Sequence, residues 1–308
     1  MSFVIIPDAS CALTKDLRER FHIPAYVKAK IMFPDGTEHV ADLDWEEISA
    51  DEYFRSMAED KAIYKSGMGS IENSIATYEQ FLKEGQDVLA VSLSSGLSGN
   101  YGLAVKACEA LKEKYPDRKI IVVDSKRYSG VIAAMIAKAD ELKQEGKTIE
   151  EVAEWLENNR NRYHQMGPMD DLNFLCRTGR INNFKAFFGT LVGVNSLGDF
   201  NPNGLTDVLG KAKGKPKAIA ATIEYVKRTI EEPENQIVFI AHSYRAETAE
   251  ELRRRVEEEL HPKEIIMARI DMSCGANVGP GMAAVFYYGK EISPDLAEEK
   301  KIMEEITK

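Results

Sequence analysis

Short apolar runs, polar loops and helix-period segments follow one another three times in the first half of the chain. Residues 3–6 are wholly apolar and close on Pro7-Asp8; Ala9-Ser10 then lead into LTKDLRERF, where Leu13, Leu17 and Phe21 recur at helical spacing behind Thr14, an N-cap candidate. The same order returns at VLAVSLSSGLSG before NYGLAVKACEALKEKY, and at KIIVVDSKRYSG before VIAAMIAKADELKQEG. Three strand, loop and helix units predict a parallel sheet with helices on its faces. In such sheets ligands collect at the carboxyl ends of the strands, where the loops 8–10, 92–99 and 124–130 must lie. All three are rich in hydroxyls.

TIEEVAEWLENNRNRY, from Thr148, predicts a further helix, and the glycine and proline of HQMGPMDDLNFLCRTGRIN then break the pattern. This predicts a boundary near residue 165, with an N-terminal α/β domain over 1–165 and a C-terminal α/β domain over 166–308. In the latter the pattern predicts a helix over 183–190, a strand over 191–195 and a hairpin turn at LGDFNPNG. It then gives the helix KPKAIAATIEYVKRTI, the strand QIVFIAH, the helix AETAEELRRRVEEEL and the strands EIIMARI and MAAVFYYG. Residues 294–308 read as a charged amphipathic helix or a frayed tail. The strand directions are mixed, and no repeat of fixed period is present.

At 308 residues, 44% apolar and 29% charged, the chain has the make-up of a globular protein of one large or two medium domains. A formal charge of −10 and a pI near 5.2 repel phosphate backbones and anionic membrane surfaces, so neither nucleic acid nor stable membrane insertion is expected. Cys11, Cys108, Cys176 and Cys274 lie far apart, without a CxxC pair, and the five histidines show no HxxxH spacing; no metal and no cofactor is expected. The N-terminus has no basic region before its short apolar run, and no window approaches eighteen apolar residues. The cytoplasm is the expected location.

The segment VLAVSLSSGLSGNYGLA carries the candidate chemistry. Gly96-Leu97-Ser98-Gly99-Asn100 puts a serine at a strand-to-helix turn, but Asn100 stands where a nucleophile elbow has its second glycine. A serine hydrolase centred on Ser98 with His242 as base is the competing reading. GKAKGKP fails the phosphate-loop spacing, and its lysines read as a solvated face. Asp8 and Asp124 read as caps of the turns they open. What survives is a set of hydroxyls, backbone N–H groups and a helix N-terminus, a receptor for a carboxylate or phosphate. It needs no catalytic residue.

Five segments in order resemble one family. FVIIPDASCALTKDL resembles its Asp-Ser-x-x-Asp-Leu opening, and SLSSGLSGNYGLA its Ser-Ser-x-Leu-Ser-Gly-Thr-Tyr loop. VVDSKRYSG resembles its Val-Asp-Ser stretch, MDDLNFLCRTGRI its Leu-x-x-Leu-x-x-Gly-Gly-Arg-Ile element, and NVGPGMAAVFYYG its His-Thr-Gly-Pro-Gly motif. The chain thus resembles the DegV family of bacterial fatty-acid-binding proteins from about residue 3 to 288. The resemblance implies a two-domain α/β fold, a parallel-sheet α/β/α domain followed by a mixed-sheet α/β domain, with a long-chain fatty acid held between them. It implies Ser66, Ser98, Arg180 and Asn277 as the carboxylate-binding set, with Ser95, Gly67 and Gly279 beside them. No enzymatic activity is implied; some members serve as carriers for a fatty acid kinase, the one protein partner the resemblance suggests.

Three departures stand out. Ser66 replaces a threonine, Gly67-Met68-Gly69 replaces Ser-Gln-Pro, and Asn277 replaces the histidine of the closing motif. Asparagine keeps a donor but carries no charge. Each methylene taken from water into an apolar tunnel contributes roughly 0.8 kcal/mol, so a chain of about sixteen carbons gains on the order of 10 kcal/mol before ordering costs. Phe174, Phe184, Phe187, Phe188, Leu191 and Val192 are candidate tunnel walls and equally candidate core.

Overall fold

The computed structural model describes residues 2–181 and 193–308. They form two compact units that interleave along the chain. The first comprises Met1–Glu46, Tyr64–Arg160 and Asp271–Cys274, the second Glu47–Ile63, Asn161–Ile270 and Gly275–Lys308. Residue 165, where the sequence pattern changes, lies inside the strand Tyr163–Met166 of the second unit.

In the first unit three strands, β1 (Phe3–Pro7), β2 (Asp87–Ser92) and β3 (Ile120–Asp124), form a parallel sheet with β2 in the middle. The register pairs Pro7 with Val91 and Ser92 with Asp124, so the three carboxyl ends are level and their loops share one edge. One face of the sheet, with Val4, Ile6, Val88, Ala90 and Ile120, packs on Tyr78 and Leu82 of helix Ile71–Lys83 and on Ala107 and Leu111 of helix Asn100–Lys114. The pleat sends Ile5, Leu89 and Val91 to the opposite face. Helices Gly130–Gln144 and Ile149–Asn159 complete the α/β/α arrangement. The second of these starts on the expected Thr148, in a full capping box with Glu151. Thr14 precedes its helix but makes no cap bond, and that helix runs only from Lys15 to Arg20.

The first unit also holds a small antiparallel sheet that hydrophobic periodicity does not announce, made of Glu38–Ala41, Ala29–Met32 and Lys65–Gly67 with Ala29–Met32 central. Its strands are three or four residues long, too short for a period of two to stand out.

The second unit is built on a seven-stranded mixed sheet. Ile237–Ser243 lies parallel to Glu264–Arg269 and antiparallel to Met282–Tyr288, which pairs on its other side with Tyr163–Met166 and Pro168–Met169. The sheet ends in the antiparallel pair Val194–Phe200 and Thr206–Lys213. Here the expected turn is corrected: LGDF, read as its first half, is the end of a strand, and the turn follows Phe200. Gly198 belongs in that strand because a Cβ there would stand 2.6 Å from the Asp207 carbonyl oxygen. Asp199 is tolerated in the core because His164 Nδ1 lies 2.6 Å from its Oδ2, which also accepts from the Tyr225 hydroxyl at 3.1 Å. The expected helix over 183–190 and the start of the expected strand lie outside the described residues, as do Phe184, Phe187, Phe188, Leu191 and Val192. Of the final stretch, Ala297–Thr307 is helix, its Met303 buried beside Gly210.

Candidate functional site

Asp8 is the pedestal of the first unit's strand-end loops. It is buried, and its Oδ2 accepts from the Leu93 N–H at 2.9 Å, the Ser92 hydroxyl at 3.2 Å and the Asn100 side-chain amide at 3.5 Å, while Oδ1 accepts from the Ser10 N–H at 3.1 Å. Burial raises its pKa above the ordinary carboxylate value, and the backbone bonds from Leu93 and Ser10 work against that rise. The cap reading of Asp8 is therefore half of the account: it also anchors the loop after β2.

Four serines follow, and each has a different job. Ser92 hydrogen-bonds Asp8, and Ser94, fully buried, accepts the Gly96 N–H on its hydroxyl and the Leu97 and Ser98 N–H groups on its carbonyl. Ser95 is exposed; Asp124 Oδ1 accepts its N–H at 3.1 Å, and Lys126 Nζ lies 2.7 Å from its hydroxyl. Asp124 also pairs with Lys126 at 3.0 Å, and its pKa lies below the ordinary value, burial being outweighed by the bonds from Ser95 and Lys126. Ser98 is half-buried one residue before the helix N-cap Gly99, and its hydroxyl accepts from the Asn100 N–H at 3.3 Å. Gly99 has no side chain to cap that helix, and its first N–H, that of Asn100, is taken by Ser98 Oγ, which places the hydroxyl at the positive end of the helix dipole.

Ser66 is brought to the same place by the small sheet. It sits on the edge strand Lys65–Gly67 opposite Ile31, and the chain then turns across the loop after β2. The Gly69 N–H points to Asn100 Oδ1 at 3.4 Å, and Met68 lies so close to Gly99 that a Cβ there would stand 2.6 Å from its sulfur. Gly67 and Gly69 serve close packing too: a Cβ on Gly67 would meet Lys30 Cβ at 3.2 Å, and one on Gly69 the Lys28 carbonyl oxygen at 3.0 Å. The Ser66 and Ser98 loops are thus joined, and Met68 and Asn100, which periodicity did not mark, are the residues that join them. Their replacement of the family's glutamine and threonine was the available signal.

The remaining expected residues belong to the second unit. Arg180 is exposed and follows the helix Asn173–Thr178, which Gly179 ends in the left-handed conformation at φ +69°; the Arg180 guanidinium donates to the Thr178 carbonyl. Asn277 is half-buried in the helix Met272–Val278. Gly279 follows at φ +72°, and a Cβ there would stand 2.3 Å from the Phe174 ring. Gly281 at φ +125° donates its N–H to the Ser243 carbonyl and accepts from the Asp170 N–H at 3.0 Å. The arginine element and the Asn277 loop are therefore packed on each other through Phe174 and Asp170.

His242 is not arranged as a catalytic base. Its Nδ1 accepts from the Arg245 N–H at 3.1 Å and faces the Arg269 guanidinium at 3.3 Å, where a triad would place a carboxylate. Burial, then the charge of Arg269, lowers its pKa to about 4. The hydrolase reading loses its second member.

The second unit also has a cleft of about 600 Å3 whose lining includes Asp51, Glu52, Arg55, Lys215, Arg245 and Arg269. Of its cations, Arg269 pairs with Asp51 and Arg245 with Asp170. It contains none of the expected site residues. Among the described residues no group of three or more histidine, cysteine or acidic side chains could hold a metal ion, and no helix is long and apolar enough to cross a membrane.

A parallel-sheet unit with serine-lined strand-end loops and a mixed-sheet unit with a Gly-Arg element and a Gly-Pro-Gly loop together define a two-unit α/β protein of the DegV fold. The chain belongs to the DegV family, described as uncharacterised, whose pattern it matches over residues 2–290. It is 30% identical over 292 residues to a DegV domain-containing protein of Clostridium perfringens, an alignment covering 95% of this chain and 99% of that one. A DegV family protein of Thermus thermophilus, whose structure is described for its fatty acid binding, is 26% identical with a TM-score of 0.83, over 94% of this chain and all of the other. The fatty acid kinase B3 protein of Streptococcus pneumoniae, loaded with linoleic acid, shares the fold at a TM-score of 0.79 and 21% identity, over 94% of this chain and 100% of that one.

Proposed function

We propose that this protein binds a long-chain fatty acid and carries it without transforming it. The carboxylate is received by the hydroxyls of Ser98 and Ser66, with Ser95 and the Gly67 backbone beside them, Arg180 as charge partner, and Asn277 and the Gly279 backbone as further donors. The observation that carries this reading is the junction of the Ser66 and Ser98 loops at the start of the helix Asn100–Lys114, where the Ser98 hydroxyl stands at the end of the helix dipole that favours an anion. The fatty acids named for its relatives from Thermus thermophilus and Streptococcus pneumoniae support the same ligand class.

The acyl chain is assigned to an apolar tunnel to which the second unit contributes, Phe174 being the wall candidate whose place is described. No cofactor is required, four free cysteines suit a cytoplasmic carrier, and a fatty acid kinase is the partner to which the acid would be presented. Native mass spectrometry of the purified protein, followed by organic extraction, tests the reading. A stoichiometric fatty acid is the expected result. A protein that stays empty after incubation with mixed fatty acids refutes it.

A further inference from the structure

Ser10 Oγ, Ser129 Oγ and Asp271 Oδ2 are buried in the first unit, and the Ser10 hydroxyl lies near enough to Asp8 to favour its ionised form. Where the loops after β1 and β3 meet, the Ser129 N–H donates to the Ser10 carbonyl at 2.8 Å, and Asp271 Oδ1 accepts the Cys274 N–H at 2.8 Å. Ser10, Ser129 and Asp271 are 1%, 0% and 2% exposed. Yet Ser10 Oγ, Ser129 Oγ and Asp271 Oδ2 have no hydrogen-bond partner among the described residues. The Ser129 hydroxyl is near enough to Asp271 to favour its ionised form, and that of Ser10 near enough to act on the Cys274 thiol. Neither contact reaches hydrogen-bond geometry.

Such a group is an exception in a folded protein, since buried donors and acceptors are nearly always paired. The backbone adds a second sign. Ser129 sits at φ +51° and ψ −122°, a region non-glycine residues seldom enter and which persists only where the surroundings enforce it.

The inventory of the three atoms defines what fits among them. Asp271 Oδ2 in its ionised form accepts only, whereas each serine hydroxyl donates once and accepts. A direct serine to carboxylate bond is not formed, and an apolar guest would leave all three atoms unpaired. A water molecule donates twice and accepts twice, and buried waters typically make about three such bonds. It can donate to Asp271 Oδ2, donate to one hydroxyl and accept from the other.

We propose that Ser10 Oγ, Ser129 Oγ and Asp271 Oδ2 form a binding site for one ordered internal water, which ties the ends of β1 and β3 to the segment Asp271–Cys274. The site is independent of the fatty acid reading and would persist in the lipid-free protein.

A high-resolution crystal structure of the full chain provides the direct test. Expected is a solvent peak at about 2.7–3.0 Å from all three oxygens. Deuterium relaxation dispersion should count one long-lived internal water fewer in both Ser10→Ala and Ser129→Gly than in the parent, the glycine keeping the unusual backbone conformation accessible. Direct hydrogen bonds from Ser10 or Ser129 to Asp271, a peak with the shorter distances and coordination of a sodium ion, or an unchanged count of long-lived waters in both variants would each overturn the proposal.

Discussion

Met68 and Gly99 approach so closely that the two loops they belong to depend on the absence of a side chain at 99: a Cβ there would stand 2.6 Å from the Met68 sulfur. Gly99 is at φ −77°, so alanine is conformationally acceptable, and the obstacle is the far part of a flexible, half-exposed side chain. Gly99→Ala should therefore leave thermal stability within about 1 kcal/mol of the parent while displacing the Met68 loop from Ser98. Fatty acid retention, read by a fluorescent-analogue displacement assay, should weaken several-fold. Retention equal to the parent would show that this junction does not shape the headgroup site.

Ser98→Ala removes the hydroxyl assigned to the carboxylate. A hydrogen bond to a charged group is worth about 1.5–3 kcal/mol, so affinity should fall roughly 10- to 100-fold. The hydroxyl accepts only a 3.3 Å bond from the Asn100 N–H, so the melting temperature should move little. An affinity change below about two-fold in isothermal titration calorimetry would remove Ser98 from the site.

Gly279 is constrained twice, by φ +72° and by the Phe174 ring, which a Cβ would meet at 2.3 Å. An aromatic ring edge in a packed element cannot yield as the Met68 thioether can. Gly279→Ala should cost on the order of 2–4 kcal/mol in urea unfolding. Combining it with Phe174→Ala should cost less than the sum of the single changes, because the smaller residue removes the clash and leaves only the strain. Strict additivity would mean that the ring is not the obstacle.

Asp271 gives the molecule a stability that falls with rising pH. Burial raises its folded pKa to about 6 from the ordinary 3.8, so between these values the native state holds a proton that the unfolded chain has released. Stability is therefore full below about pH 4, declines as pH rises toward 6, and levels off above it, a loss of up to about 3 kcal/mol at 1.36 kcal/mol per unit. Asp271→Asn should lack this component. Relative to the parent it should gain stability on going from pH 4 to pH 8 in paired chemical denaturation curves; parallel pH profiles would refute the assignment.

The amino-acid sequence by itself determined the pieces that depend on local pattern. The three strand, loop and helix units around Asp8, Ser92 and Asp124, the capped helix after Thr148 and the strand QIVFIAH all follow from periodicity and turn chemistry, which act over a few residues. The family resemblance, carried by five short motifs, placed Ser66, Ser98, Arg180 and Asn277 on the list of candidates, but a motif states which residues recur and not what holds them.

Tertiary structure decided what depends on residues distant in the chain. LGDF is a strand and not a turn because Asp207, His164 and Tyr225 supply its glycine and aspartate with a close backbone partner and a buried hydrogen-bond network. Gly67-Met68-Gly69, which stands where the family has Ser-Gln-Pro, is a tight loop, since the missing side chains let Lys28 and Lys30 approach and the Gly69 N–H meets Asn100 Oδ1. His242 reads as a base until Arg245 and Arg269 are seen at its Nδ1. In each case at least one deciding contact of a few ångströms joins residues tens of positions apart, His164 with Asp199, Lys28 with Gly69 and Arg269 with His242, and hydrophobic period carries no record of it.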